Sequence, residues 1–163
     1  MTVEPRFRGE VTALVDVPAT RVFDLITNVD RLPEWNAAIS EVIERRETLI
    51  EGAEWLVVMD VPLLPNWKSR STVRHIDGEN LRFVYASTSE DRNPSYVDWF
   101  WEVTDRGGRS EVTVRWHGYP LTFFRQRLAA PMRRRQLSKE VSASLAALGL
   151  VATQSAHPLD RHG

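Results

Sequence analysis

The chain has 163 residues and no cysteine; 42% of its residues are hydrophobic and 26% are charged, with a formal net charge of −1. These totals fit one globular domain that is long enough to close a sizeable core. A charge close to zero gives no overall attraction to nucleic acid, so no nucleic-acid partner is expected. The lack of cysteine excludes a thiol nucleophile, a Cys-zinc site and an iron–sulfur cluster.

Segments that would target the chain to a membrane are not evident in the sequence. No run of about 18 apolar residues occurs, so we expect no stable membrane insertion. The first residues lack the basic-then-apolar order of a signal peptide. We therefore expect a cytoplasmic protein, built as a single domain over residues 1–150 with a disordered tail over residues 151–163.

The first elements in chain order are a strand and two short helices. Residues 9–17 alternate apolar with polar side chains, which predicts a strand buried on one face, and Pro18 ends it. Val22, Phe23 and Ile26 then recur at helical spacing. The segment Leu32-Pro-Glu-Trp-Asn predicts a second short helical turn that packs Trp35 inward.

Six further strands follow, separated by short connections with turn signals. Their predicted ranges are 39–47, 54–61, 67–76, 81–87, 96–104 and 111–119. Short connections favour antiparallel hairpins, because parallel neighbours need a long crossover. The last two strands alternate most regularly, so Trp99, Trp101 and Trp116 are expected on one common face.

A long amphipathic helix is the last patterned segment, over residues 131–148. Leu137, Val141, Leu145 and Leu148 are four, four and three residues apart, which places them on one face. Pro131 suits the first turn, and Gly149 suits a position just past the end. A narrow apolar stripe on a helix of roughly 25 Å needs a broad partner, so we expect this helix to lie across the sheet. Residues 121–128 are predicted to form a helical lead-in.

This order of elements resembles the helix-grip fold of the START-like (SRPBCC) superfamily, which includes polyketide cyclases, dehydrases and lipid-transfer domains. The resemblance is carried by Val15-Asp-Val-Pro-Ala-Thr-Arg-Val-Phe-Asp-Leu-Ile-Thr-Asn, by Leu32-Pro-Glu-Trp-Asn, and by Gly107-Gly-Arg-Ser-Glu-Val-Thr-Val. It covers approximately residues 8–149 and brings no catalytic signature with it. It implies an α+β fold in which a curved seven-stranded antiparallel sheet, two short helices and a long C-terminal helix enclose an apolar cavity.

Large apolar and aromatic side chains are the candidates to line such a cavity, and the alternative is that they simply fill the core. The predicted ligand-binding residues are Trp35, Leu64, Trp67, Phe83, Tyr85, Trp99, Trp101, Trp116, Val141 and Leu145. Leu64 and Trp67 belong to a proline-bounded turn that is either purely structural or a flap at the mouth of the cavity.

Polar candidates for catalysis are few. Tyr85 shares a face with Phe83 and is the better polar anchor, while strict alternation places His75 inward and His117 outward. No histidine lies in a metal-ligand spacing, so neither a metal nor another cofactor is expected. The five arginines 125, 127, 133, 134 and 135 are interpreted as a solvated helix face, with phosphate or lipid head groups as the alternative.

Three functions follow from the resemblance and from these residues. The favoured one is a carrier or sensor that binds a hydrophobic small molecule such as a lipid, isoprenoid or polyketide. The second is an enzyme of the polyketide aromatase/cyclase or dehydrase type, with Tyr85 and His75 moving protons. The third is a protein-partner module that uses the Leu63-Leu64 turn or the basic helix face. A monomer or a homodimer is compatible with each of them.

Overall fold

The structure is a computed structural model that describes residues 4–122 and 130–155, and it contains seven strands and three α-helices. The strands are β1 (Phe7–Val15), β2 (Ile39–Glu44), β3 (Glu54–Met59), β4 (Trp67–Asp77), β5 (Arg82–Ser89), β6 (Tyr96–Asp105) and β7 (Ser110–Tyr119). The helices are α1 (Ala19–Ile26), α2 (Leu32–Trp35) and α3 (Ala130–Ser155), with a 3-10 turn at Val29–Arg31.

All seven strands form one antiparallel sheet in the order β1-β7-β6-β5-β4-β3-β2. Strands β2 to β7 follow one another as hairpins, as their short connections predict. The first strand instead pairs with the last, so that Val15 lies opposite Ser110 and Phe7 opposite Gly118. The predicted helix-grip arrangement of sheet and helices is therefore confirmed.

The two faces of the sheet differ because apolar and polar residues alternate along its strands. On β6 and β7, Trp99 pairs with Trp116 and Trp101 pairs with Val114 on the concave inner face. Their neighbours Phe100, His117 and Arg115 lie on the outer face by the same alternation. We use "inner face" below for the side that carries Trp99 and Trp116.

Helices α1 and α2 connect β1 to β2 along the chain and pack beside the inner face. Val22, Phe23, Leu25 and Ile26 of α1 are buried at helical spacing. Trp35 ends α2 with only 2% of its surface exposed, and its ring meets Trp101 edge-on at 5.5 Å. The prediction that Trp35 packs inward is confirmed.

Helix α3 packs along β1 and against α1 and α2 through the predicted apolar stripe of Leu137, Val141, Leu145 and Leu148. The prediction that it ends at Gly149 is wrong, because it continues to Ser155. Ala152 lies one turn beyond Leu148 and is buried in the same core, so the stripe extends past the glycine. Residues 151–155 therefore belong to the domain. The predicted lead-in at 121–128 falls largely, and the tail from residue 156 onward wholly, outside the described residues.

Two glycines allow large rings to lie flat on the β1–β7 pair. A Cβ atom on Gly9 would sit 2.0 Å from Trp116 Cζ2, and one on Gly118 would sit 2.0 Å from Phe7 Cζ. Gly9 is directly opposite Trp116, and Gly118 is directly opposite Phe7. Each ring therefore covers the backbone of the glycine across from it, which closes this end of the inner face.

We expect Gly9→Ala to destabilise the fold, because the new methyl group overlaps the buried Trp116 ring and neither backbone nor ring has room to move. The free energy of unfolding, measured by urea denaturation, should fall by about 2 kcal/mol or more. Gly78→Ala is the matched control, since a Cβ there meets no atom within 4 Å. Equal stability of the two variants would contradict this account of the packing.

Candidate functional site

A line of aromatic rings crosses the inner face from β3 to β7. Trp55 lies 4.9 Å from Tyr85, Tyr85 lies 6.4 Å from Trp99, and Trp99 lies 5.9 Å from Trp116, measured between ring centroids. Trp55 and Tyr85 are on strands that flank β4, and they meet because β4 places the small side chain of Ser71 opposite Trp55. Trp55 is not among the ligand-binding residues that the sequence pattern predicts.

The rings differ in how completely they are covered. Trp116, Phe83 and Trp101 are at most 4% exposed and belong to the packed core. Tyr85 and Trp99 point to the same inner side but are only half-buried, and so is their neighbour Val97. If α3 filled the concave side of the sheet, these three would be as buried as Trp116. The inner face therefore has a fully packed part and, on β5 and β6, a part that is only partly covered.

Neutral polar groups are distributed among the uncovered rings. The indole N–H of Trp99 donates a hydrogen bond to Ser87 Oγ at 2.9 Å, and that of Trp101 donates to Tyr85 Oη at 3.4 Å. Removal of the Tyr85 hydroxyl from bulk water raises its pKa to about 12, against a smaller opposing effect of the Trp101 hydrogen bond. Tyr85 is therefore an uncharged hydrogen-bonding group at neutral pH.

A charged pair on α3 lies at one side of this region. Arg133 Nη1 donates a hydrogen bond to Glu140 Oε1, and the guanidinium carbon is 5.6 Å from the centre of the Trp67 ring. The two charged side chains are only 22% and 16% exposed. The interpretation of the arginine run as a solvated face is therefore wrong for Arg133.

The spacing of Arg133 and Glu140 explains this placement. Seven residues at 100° each leave the two side chains about 20° apart around the helix axis. Both then lie beside Leu137 and Ser144, on the flank of α3 next to its apolar stripe. Counting helical positions for Glu140 as well as for the arginines identifies this pair from the sequence.

Two buried polar atoms near these elements have no hydrogen-bond partner: the indole nitrogen of Trp35 and the side-chain oxygen of Gln136. Gln136 is on the same flank of α3 as Glu140 and Arg133. Trp35 is held next to α3, because the backbone N–H of Ala37 donates to Ser144 Oγ at 3.1 Å. The unmatched donor therefore lies beside Trp101, and the unmatched acceptor lies on the flank of α3 that carries the ion pair.

His75 does not join this group of residues. The sheet register shifts between Val73 and His75, which pairs His75 with Val84 rather than leaving it on the Val73 side. Its side chain is 50% exposed, with Nδ1 3.5 Å from Glu51 Oε1. The prediction that His75 points inward is wrong, because alternation does not continue through a bulge.

His117 lies on the outer face, as predicted. Its ring is 4.9 Å from Phe100, another outer-face residue, and Asp98 is its direct cross-strand neighbour. Partial burial lowers the pKa of His117, with the nearby Arg8 acting in the same direction. Neither strand histidine contacts the inner face.

The remaining predicted residues divide between core and rim. Val141 and Leu145 are buried in the core cluster that joins α3 to the sheet. Leu64 in the β3–β4 turn and Trp67 at the start of β4 are half-buried, whereas Leu63 in the turn is 99% exposed with a positive φ of 70°. Through the Trp67–Arg133 contact the start of β4 meets the first turns of α3.

Over the part of the chain that the structure describes, no group of His, Asp or Glu side chains could hold a metal ion. None of the helices in that part is long and apolar enough to cross a membrane. The chemistry available on the inner face is thus that of aromatic surfaces, hydroxyls, amides and one ion pair.

Residues 6–152 match the family model described as polyketide cyclase / dehydrase and lipid transport. The chain belongs to this family, since the match spans nearly its whole length. No curated protein matches the sequence.

Solved structures with the same fold share little sequence with this chain. The Zhui aromatase/cyclase from Streptomyces sp. R1128 has a TM-score of 0.75 and 16% identity, covering 93% of this chain and 96% of its own. TTHA0849 from Thermus thermophilus has a TM-score of 0.72 and 14% identity, covering 91% of this chain and 99% of its own. Ara h 8.0201 has a TM-score of 0.69 and 14% identity, covering 91% and 98%. At these identities the likeness supports the fold alone.

The raised pKa of Tyr85 predicts how stability changes at high pH. Above pH 10 the unfolded chain releases this phenolic proton, whereas the folded protein keeps it until about pH 12. The unfolded state then binds fewer protons, so the free energy of unfolding should fall across this interval, by on the order of 2 kcal/mol. In urea denaturation, the free energy of unfolding of the Tyr85→Phe variant should not show this fall. Formation of the Tyr85 tyrosinate near pH 10, seen as ultraviolet absorbance missing from the variant, would contradict the assignment.

Proposed function

We propose that the protein binds a hydrophobic small molecule between the uncovered part of the inner face and α3, as a carrier or sensor. The observation that supports this most directly is the half-buried state of Tyr85, Trp99 and Val97 on a face that is otherwise core. Apolar side chains that keep accessible surface on the concave side of a sheet are the usual lining of a ligand site.

The energetics of such binding favour an apolar ligand. A complex that removes about 500 Å² of apolar surface from water, counted on the ligand and the rings together, gains roughly 12 kcal/mol at about 25 cal/mol per Å². Part of that gain is lost to the entropy of association, which leaves micromolar to millimolar affinity without any strong polar contact. The aromatic rings also favour flat, ring-containing molecules, because stacked and edge-on ring contacts add to burial.

The chemical class of ligand that we propose is lipid, isoprenoid or polyketide-like. The family description names both polyketide cyclases or dehydrases and lipid transport. A structural neighbour bears the name aromatase/cyclase. Both names are compatible with the same apolar site, and both support a ligand that carries few charges.

Mass spectrometry of the gently purified protein, first native and then after solvent extraction, tests the proposal. We expect a hydrophobic molecule that co-purifies with the folded protein at a fixed ratio. If the protein is empty, it should still enhance the fluorescence of an apolar dye. An empty protein that binds no dye would rule out an accessible apolar site.

Trp99→Ala should weaken binding of the dye or of the co-purified molecule by about tenfold or more, because the ring provides one wall of the proposed site. Phe100→Ala is the matched control, since it removes a neighbouring ring on the outer face of the same strand. Fluorescence titration of both variants, with circular dichroism to show that they are folded, gives the comparison. Equal losses in the two variants would place the ligand elsewhere.

The second candidate function is catalysis of the cyclase or dehydrase type, and the position of Tyr85 favours it. A phenol that stays protonated in an apolar site can donate a hydrogen bond or a proton to a ligand carbonyl. His75 is not available as a partner on the inner face. Turnover of a poly-β-ketone substrate that survives Tyr85→Phe unchanged would exclude this role.

A further inference from the structure

The charges and unmatched polar atoms around the inner face indicate which ligands the site accepts. This inference rests on the proposed function, because it assumes that the uncovered region binds a small molecule. Among the described side chains of α3, Arg133 and Glu140 are the partly buried charged groups, and each is the other's partner. The flank of α3 beside the Trp67 ring therefore carries no net charge.

A carboxylate ligand would be poorly accommodated beside this pair. Arg133 already has its charge matched by Glu140 and also lies over the Trp67 ring. An incoming carboxylate would have to lose its hydration while facing the like charge of Glu140. The ion pair thus removes the attraction that an isolated arginine would offer to an acid.

The neutral polar atoms require an uncharged partner that forms hydrogen bonds, rather than a carboxylate. Trp35 offers a buried N–H donor and Gln136 a buried carbonyl acceptor, and neither has a partner in the protein. Tyr85 Oη and Ser87 Oγ accept hydrogen bonds from tryptophans, so each hydroxyl keeps its own proton to donate. A ligand with carbonyl and hydroxyl oxygens matches these groups, whereas a pure hydrocarbon would leave them unpaired.

We propose that the site selects uncharged, oxygen-bearing apolar molecules, such as phenols, alcohols or ketones, and that the Arg133–Glu140 pair excludes free carboxylic acids. Gln136 and Trp35 then act as the hydrogen-bonding groups that distinguish an oxygenated ligand from a hydrocarbon of the same shape. Glu140 is the residue that determines charge specificity, because it neutralises Arg133.

The test compares naphthol, naphthoate and ethylnaphthalene, which share one ring system and differ in the polar group. Calorimetric titration at neutral pH should give naphthol an affinity about tenfold or more above that of naphthoate, with ethylnaphthalene between them or equal to naphthoate. Gln136→Leu should reduce the preference for naphthol over ethylnaphthalene, because it removes the acceptor for the hydroxyl proton.

Glu140→Gln gives the sharper result, since it leaves the charge of Arg133 unmatched. We expect the affinity for naphthoate to rise by about tenfold or more, while the affinity for naphthol changes by less than about threefold. The double variant Arg133→Gln with Glu140→Gln should lose this gain in naphthoate affinity, because it has no unmatched charge. Lys139→Gln, at an exposed neighbouring position on α3, is the matched control and should leave all three affinities unchanged.

A second variant keeps the test valid if Glu140→Gln fails to fold. Arg133→Gln leaves the charge of Glu140 unmatched, so it should bind naphthylmethylamine, a cation, about tenfold or more tightly than the wild type does. Wild-type binding of naphthoate as tight as that of naphthol would overturn the selectivity while leaving the proposed function standing. No binding of any probe by the folded wild type, together with no dye uptake, would overturn the proposed function itself.

Discussion

One helix cannot cover the concave side of a seven-stranded sheet, and this geometric constraint governs the rest of the molecule. Seven strands spaced about 4.8 Å apart span roughly 29 Å, whereas a helix with its side chains is about 10 Å across. The short helices α1 and α2 extend the cover: α1 packs against α3, β6 and β7, and α2 packs against α3 and β2. On the inner face of β5 and β6, Tyr85, Val97 and Trp99 stay only half-buried.

Different small residues occupy the two parts of the inner face. On β1 and β7 it uses glycines, so that Trp116 and Phe7 lie directly on the backbone and the packing closes. On β4 it uses serines, which are too short to fill the space and let the Trp55 ring reach Tyr85 from the other side. Small residues thus tighten the packing at one edge of the sheet and make room in its middle.

Electrostatics follow from the same division. The hydroxyl groups of Tyr85 and Ser87 and the indole of Trp99 lie on the half-buried part of β5 and β6, where burial keeps Tyr85 protonated. The charged residues of the inner side pair with each other rather than with water. A partly buried pair of this kind adds little to stability, because desolvation of the two ions offsets most of their attraction. Its consequence is that this flank of α3 carries no net charge.

Periodicity alone predicted most of the architecture: alternation identified seven strands close to their observed bounds, and the stripe of Leu137, Val141, Leu145 and Leu148 identified α3. These patterns are local, because a side chain's face depends on a few neighbouring dihedral angles. The resemblance to a known superfamily added how the elements assemble. Together they also placed Tyr85 and Trp99 on the inner face and Trp35 against it.

The tertiary structure decided several side-chain positions and the end of α3, which local sequence patterns do not specify. A bulge after Val73 turned His75 outward, and the packing of α3 on the sheet brought Arg133 over the Trp67 ring of β4. Ala152 continued the helix past Gly149 because the core extends that far. Which rings fill the core and which remain uncovered depends on where α3 crosses the sheet, and that position is set by packing between elements distant in the chain. The sequence by itself therefore determined the elements and their faces, and the packing determined where the inner face stays open.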